Sequence, residues 1–76
     1  MVRAREVIAR IERLGGTFTR QRGSHRRYEV TFTDDEGVVR TAQTTVQVHQ
    51  GREIPVGTLR AIQRDLAPAF GERWLL

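Results

Sequence analysis

A histidine beside a short turn is the residue best suited to chemistry in this sequence. His25 closes the run Gln21-Arg22-Gly23-Ser24-His25, and four arginines lie close to it: Arg20, Arg22, Arg26 and Arg27. An imidazole exchanges a proton near neutral pH, so it can take one from a ribose 2′-hydroxyl or give one to a leaving 5′-oxygen. Guanidinium groups can bind the phosphate and stabilise the charge that develops on it. The pattern predicts an RNA-cleaving site with His25 as its catalytic residue.

This chemistry requires no cofactor, because the 2′-hydroxyl of RNA serves as an internal nucleophile. The sequence contains no cysteine, and its two histidines stand in separate elements with scattered acids, which matches no metal-ligand spacing. Ser24 and His25 are adjacent on a predicted strand and should point to opposite faces, which argues against a Ser-His nucleophile. We therefore expect neither a metal nor another cofactor.

Several residues near His25, or on its face of the sheet, are expected to contact RNA: Arg20, Arg22, Ser24, Arg27 and His49. His49 ends the third predicted strand, and pairing of His25 with Thr45 or Gln47 would place it roughly 7 to 14 Å further along. Both histidines have an alternative explanation. A strand histidine is more often a surface residue without a chemical role, and His49 could equally satisfy loop carbonyls. Residue chemistry alone leaves these alternatives open.

The composition favours a nucleic-acid or acidic-protein partner. The chain has 76 residues, enough for one domain, and a formal net charge of +4. All 13 cationic side chains are arginine, which can bind phosphate through two parallel hydrogen bonds. No apolar run approaches the roughly 18 residues of a membrane-spanning helix, and no signal-peptide pattern opens the chain. We expect a cytoplasmic protein that does not enter a membrane.

Helical and strand periodicities follow one another along the chain. Ala4, Val7, Ile8, Ile11 and Leu14 have helical spacing, and Gly15-Gly16 should end that helix. Residues 17–21, 25–33 and 38–48 predict three strands, separated by turns at 22–24 and 34–37. A second helix should begin at Pro55 and stop at Pro68. The apolar tail 69–76, which holds Phe70 and Trp74, should either pack back as a short helix or contact another chain.

The order α-β-β-β-α predicts an α+β fold, in which both helices pack on the apolar face of a three-stranded antiparallel sheet. Alternation in the second strand places Tyr28, Val30 and Phe32 on that face. His25 and Arg27 should then lie on the opposite, solvated face. A sheet with helices on one side and arginines on the other resembles the double-stranded-RNA-binding domain.

The sequence also resembles the HicA family of toxin–antitoxin mRNA interferases, from the first helix through the second. The matching segments are Gly15-Gly16, Arg20-Gln21-Arg22-Gly23-Ser24-His25 with Tyr28, Val46-Gln47-Val48-His49, Glu53-Ile54, and Gly57-Thr58-Leu59-Arg60 with Ile62, Arg64 and Asp65. Family members often have proline where Gln47 stands and a second histidine where Arg26 stands, and the hairpin between Tyr28 and Val46 is longer than usual. On this resemblance residues 1–76 form one HicA-like domain, with 67–76 as an additional C-terminal segment.

The resemblance implies a double-stranded-RNA-binding-like fold, His25 as the catalytic residue, mRNA as the substrate and a HicB-like antitoxin as the partner. It gives His49 and Gly57 as motif positions without an established chemical role. The predicted function is thus a metal-independent endoribonuclease toxin that inhibits translation. Two alternatives stay open: an RNA-binding module that does not cut, and an inactive homologue that binds an antitoxin through Phe70, Trp74 and the helices.

Overall fold

The computed structural model describes residues 2–49 and 51–76, and its centre is a three-stranded antiparallel sheet. The strands are β1 (Thr17–Arg22), β2 (His25–Thr33) and β3 (Val39–Gln47), in the spatial order β1-β2-β3. Helix α1 (Ala4–Arg13) precedes the sheet and α2 (Val56–Phe70) follows it. The predicted α-β-β-β-α order and α+β class are confirmed.

Both helices pack on one face of the sheet because the strands and helices each have a single apolar side. The buried hydrophobic residues of the four elements are Ala4, Val7, Ile8 and Ile11 of α1, Tyr28 and Val30 of β2, Ala42 and Val46 of β3, and Leu59, Ile62 and Leu66 of α2. One polar side chain, Thr44, is buried with them, and its hydroxyl donates to Asp65 Oδ2 of α2 at 3.0 Å. The other face of the sheet carries the alternate residues of β2 and β3, which are mostly exposed.

Two glycines end α1 for different reasons. The helix stops at Arg13, so Leu14 becomes its C-cap and is 44% exposed, although helical spacing predicted it on the buried face. Gly15 has φ +105°, a backbone conformation that other residues rarely adopt. Gly16 is required by space instead: a Cβ there would lie 2.3 Å from Ile11 Cγ2 and 3.1 Å from the Ile11 carbonyl oxygen.

The prediction that Pro68 stops the second helix is wrong, since α2 continues to Phe70. Pro68 lies in the last turn and has no N–H, so the carbonyl of Arg64 loses its helix hydrogen bond. Arg64 is exposed, so water can replace that bond. The helix instead ends at Gly71, whose φ is +100° and whose N–H donates to the Ala67 carbonyl at 2.8 Å.

The C-terminal tail packs back on the helices without forming a helix of its own. Trp74 is 7% exposed and belongs to the core; its indole N–H donates to the Gln63 carbonyl at 2.8 Å. The Gln63 side-chain oxygen accepts from the N–H groups of Leu75 and Leu76, at 3.1 and 2.7 Å. Arg10 Nε of α1 donates to the Trp74 carbonyl at 3.1 Å. The tail therefore connects α1 to α2, and Trp74 is not available as an outward contact.

The β2–β3 hairpin is closed by a turn built on Asp34. Its carboxylate accepts from the backbone N–H groups of Glu36 and Val38, each at 2.9 Å, and from the Arg40 guanidinium. The third strand was predicted to begin at Val38, but Val38 lies in this turn, before β3 begins, and is 47% exposed. The Arg40 hydrogen bond and then the backbone donors hold the pKa of Asp34 below its ordinary range.

We expect Gly16→Ala to destabilise the fold by about 1–3 kcal/mol, because the new methyl group would displace the Ile11 side chain and backbone. The measurement is chemical denaturation. The matched control is Gly57→Ala in the first turn of α2, where a Cβ meets nothing within 4 Å. Alanine favours a helix, so this control should be neutral or stabilising by about 0.4–1 kcal/mol. Equal effects of the two substitutions would contradict the close approach of Gly16 to Ile11.

Asp34→Asn should lower the melting temperature at pH 7, and the deficit should shrink in acid. A lowered folded-state pKa gives stability that is present above the unfolded value of about 3.9 and is lost as pH falls through the folded value. Wild type and variant, melted at pH 7 and at pH 2.5, should therefore differ more at pH 7. A deficit that stays the same at both pH values would show that the ionised carboxylate contributes nothing.

Candidate functional site

A β-bulge in β1 decides which side chains share a face with His25. From the turn backwards, β1 pairs with β2 as Arg22 with His25, Gln21 with Arg26 and Arg20 with Arg27, and the register then shifts so that Phe18 pairs with Tyr28. Thr19 is the extra residue, and its hydroxyl donates to the Arg27 carbonyl at 3.2 Å. A bulge lets two residues on one strand oppose one on its partner.

The bulge separates an aromatic residue from the arginines that have the same sequence parity. Strict alternation would put Phe18, Arg20 and Arg22 on one face. With Thr19 inserted, Phe18 contacts Tyr28 on the helix side, at 5.9 Å between ring centroids, and Arg20 and Arg22 lie on the solvated side. The bulge was not predicted from the sequence. The sequence does contain an indication of it. Phe18, Arg20 and Arg22 stand at alternate positions, so a regular strand would put all three on one face, although an aromatic side chain favours the helix side and arginines favour solvent.

His25 lies at the start of β2, between a neighbour on each side. Arg22 of β1 is its partner across the first hairpin, and Gln47 of β3 is its partner across the second. The Gln47 side-chain Nε2 lies 2.7 Å from His25 Nε2. The tight turn is the predicted one: Gly23 has φ +54° and Ser24 does not have a positive φ, as expected for a type II′ turn.

The exposed side chains around His25 form a concave surface, which we call the arginine groove. Its volume is about 210 Å³, and its lining residues are Arg20, Arg22, His25, Arg27 and Thr45. The sheet register therefore unites the catalytic candidate with three of the predicted RNA contacts. Arg27 donates to the Gln43 side-chain oxygen. Within residues 2–49 and 51–76 no arginine of the groove forms an ion pair with an acid.

Clustered cations without acids are unfavourable for folding by themselves, because like charges on facing strands repel. The groove places Arg20 opposite Arg27, and Arg22 lies two pairs away on the same face. An anion with several oxygen acceptors would relieve this repulsion, and phosphate accepts the parallel hydrogen bonds that guanidinium groups donate. The groove is therefore suited to a phosphodiester backbone.

Arg26 is the one nearby arginine that points away from the groove. Its guanidinium carbon lies 4.7 Å from the Phe18 ring centroid and 5.6 Å from that of Tyr28. Cation–π contacts of this kind contribute to packing on the helix side. Burial raises the pKa of the Tyr28 hydroxyl, and the charge of Arg26 opposes that shift. Arg26 is thus a structural residue that helps to anchor Phe18.

The structure does not bring the other two predicted RNA contacts into the groove. Ser24 lies in the turn, half-buried, and its carbonyl accepts from the Val48 N–H at 2.7 Å, which extends the β2–β3 ladder by one bond. Pairing of His25 with Gln47 confirms one of the two expected registers, so His49 lies about 7 Å beyond it. His49 instead lines a separate cavity of about 280 Å³, the His49 cleft, together with Gln47, Arg52, Glu53, Ile54, Pro55 and Thr58.

In the described part of the chain no group of three or more histidine, cysteine, aspartate or glutamate side chains is arranged to hold a metal ion. Neither α1 nor α2 is long and apolar enough to cross a membrane.

Deletion of Thr19 should preserve the arginine groove, because the residues that remain would pair without a bulge in the register already observed. The cost should be about 1 kcal/mol for the lost hydrogen bond to Arg27. Deletion of Gln21 is the matched control, since it also removes one residue but would move Arg20 opposite Arg26, on the helix side. Nuclear Overhauser contacts between Arg20 and Arg27 should persist in the first variant and vanish in the second. Their loss in the first would contradict this account of the bulge.

Comparison with known proteins supplies an independent classification. The family model described as HicA toxin of bacterial toxin–antitoxin matches residues 4–67, from the start of α1 to near the end of α2. Comparisons with curated proteins and with solved structures give no significant match. The matched span contains the whole sheet, the arginine groove and the His49 cleft. The chain therefore belongs to the HicA toxin family, which implies a toxin of a toxin–antitoxin system with an antitoxin partner.

Proposed function

We propose that this toxin is an endoribonuclease that cuts mRNA in the cytoplasm, inhibits translation, and is neutralised by a HicB-like antitoxin. The observation that carries the proposal is the placement of His25 in one groove with Arg20, Arg22 and Arg27, on a sheet face that neither helix covers. Membership of a toxin family supplies the biological context.

The arginines bind the RNA backbone and position one phosphate beside His25. Arg20 and Arg27 face each other across the strands, two pairs further along the sheet than Arg22 and His25 and on the same face. A phosphate between them receives hydrogen bonds from more than one guanidinium group, which also offsets the extra negative charge of the transition state. Because these contacts are electrostatic, binding should weaken steeply as salt increases.

Cleavage follows from proton transfer between His25 and the RNA. The 2′-oxygen loses its proton and forms a bond to phosphorus, the bond from phosphorus to the 5′-oxygen breaks, and that oxygen gains a proton. The products are a 2′,3′-cyclic phosphate and a 5′-hydroxyl. His25 is the one histidine of the groove, so it performs one of these transfers and water the other.

Gln47 is suited to hold the His25 ring in both of its protonation states. Its amide has a donor end and an acceptor end. With Nε2 towards the ring, the amide donates to an unprotonated His25 Nε2. Rotated by half a turn, it accepts from a protonated one. The ring is thereby oriented without a charged partner that would fix it in one state.

A non-catalytic RNA-binding module is the second candidate, favoured by one observation: the lining of the groove includes no second histidine and no aspartate or glutamate that could complete the proton transfer. Such a module would share the basic face and the salt dependence but leave RNA intact. The third candidate, an inactive homologue that binds an antitoxin through Phe70 and Trp74, is weakened because Trp74 is buried in the chain's own core.

We expect His25→Ala to lower RNA cleavage by about 10²–10⁴-fold while RNA binding is retained, since the substitution removes the proton-transfer group and leaves the arginines. Purified protein is incubated with mRNA in a chelator, and the 3′ ends of the products are identified.

Arg27→Gln should weaken RNA binding and reduce the slope of log binding constant against log salt concentration by about 1. Arg64→Gln, on the exposed face of α2 and outside the groove, is the charge-matched control.

Equal cleavage by wild type and His25→Ala would refute the catalytic role of His25. Intact RNA after long incubation with wild type, together with salt-dependent binding, would establish the binding-module alternative. Product ends other than a 2′,3′-cyclic phosphate and a 5′-hydroxyl would exclude attack by the internal nucleophile. Growth arrest on expression of wild type, and its absence with His25→Ala, would test the same assignment in cells.

A further inference from the structure

The His49 cleft adjoins His25 on the side away from the arginine groove. Gln47 is the shared residue: its side chain lines the cleft and also contacts His25 at 2.7 Å. Thr45, two residues earlier on the same face of β3, lines the groove, and His49, two residues later, lines the cleft. A chain of RNA that follows β3 would therefore pass from the groove, across His25, to the cleft.

The walls of the cleft are held in place by backbone hydrogen bonds. Ile54 N–H donates to the Val2 carbonyl at 2.9 Å, and Glu53 forms an isolated antiparallel bridge with Arg3. Arg52 N–H donates to the His49 carbonyl at 3.1 Å. The Ile54 side chain is half-buried against the core. The cavity is thus formed before any ligand arrives, which is typical of small-molecule and base sites.

The lining combines hydrogen-bonding groups of both kinds with an apolar surface. Arg52 offers donors and Glu53 offers acceptors, whereas Thr58 and Gln47 offer both. Ile54 and Pro55 supply the apolar part. In the part of the chain that the structure describes, the side chains of Arg52, Glu53 and Thr58 make no hydrogen bond to the protein. Their hydrogen-bonding capacity is available to a ligand.

This chemistry distinguishes between the parts of a nucleotide. A phosphate would bind Arg52 but would also lie beside the Glu53 carboxylate, and an apolar group would use the hydrogen-bonding capacity of neither side chain. A nucleobase has flat apolar faces and an edge that presents donors and acceptors together, so it matches the whole lining. Unstacked bases of single-stranded RNA are recognised through such edges.

We propose that the His49 cleft binds the base of a nucleotide adjacent to the cleaved phosphodiester, and that Arg52 and Glu53 determine which base is preferred. The inference rests on the proposed function, because it assumes that RNA crosses His25. It adds a specificity site to that function, formed by the loop between β3 and α2 and by the first turn of α2.

The test uses a pool of RNA octamers with randomised sequence, in two assays. Cleavage by wild type is read by sequencing the product ends, and binding by His25→Ala is read by sequencing the RNA that the protein retains. Both assays are repeated with Glu53→Gln, Arg52→Gln and Thr58→Val. Arg64→Gln is the control for loss of one positive charge outside the cleft. Thermal melting establishes that each variant is folded.

We expect wild type to prefer one or two bases at a position next to the cut, and at least one cleft variant to reduce that preference about tenfold, the size of one lost base-edge contact. Arg64→Gln should keep the base preference of wild type.

Base preference that is unchanged in all three folded cleft variants would overturn the inference and leave the nuclease assignment intact. If wild type cuts no RNA but the base preference in the His25→Ala binding assay depends on Arg52 or Glu53, the nuclease assignment fails and the base site stands. If RNA is neither cut nor bound, both fail.

Discussion

The alternation of side chains between the two faces of β2 is the constraint on which the rest of the structure depends. Tyr28 and Val30 are buried beneath α1 and α2, and successive strand residues point to opposite faces, so His25 and Arg27 must face the solvent. A shift of one residue would bury the histidine and the arginine and expose the tyrosine, which would cost several kcal/mol of lost burial and charge desolvation. The core therefore fixes the position of the site, although no core residue belongs to it.

The large-scale organisation was predictable because it follows from periodicity. The apolar spacing in α1 fits only a helix, and the alternation in β2 fits only a strand. The order of the elements along the chain then favoured one architecture, with both helices on one face of the sheet. The pairing of His25 with Gln47 was one of two registers allowed by the turn at Asp34. Membership of the family was also predictable from the motif around His25 and is supported by the family model over residues 4–67.

The features that were not predictable depend on competition between neighbours that periodicity does not describe. Phe18 and Arg20 would lie on the same face of a regular strand. The bulge lets Phe18 pack against Tyr28 while Arg20 faces solvent, and that contact is visible only in the structure. Pro68 ordinarily stops a helix, but the packing of α2 against the sheet and the cap at Gly71 outweigh the loss of one hydrogen bond. The fixed path of the tail depends on Gln63, whose role in binding three tail N–H groups has no signature in sequence.

The exclusive use of arginine in the groove has a consequence for how such a protein is controlled. A guanidinium group stays protonated at any cellular pH, and it is not a substrate for the acetylation that removes the charge of lysine. The attraction of the groove for polyanions is therefore constitutive: neither acidification nor lysine acetylation can switch it off. A molecule that occupied the groove would compete directly with a polyanion, and a partner of that kind would act in proportion to its amount.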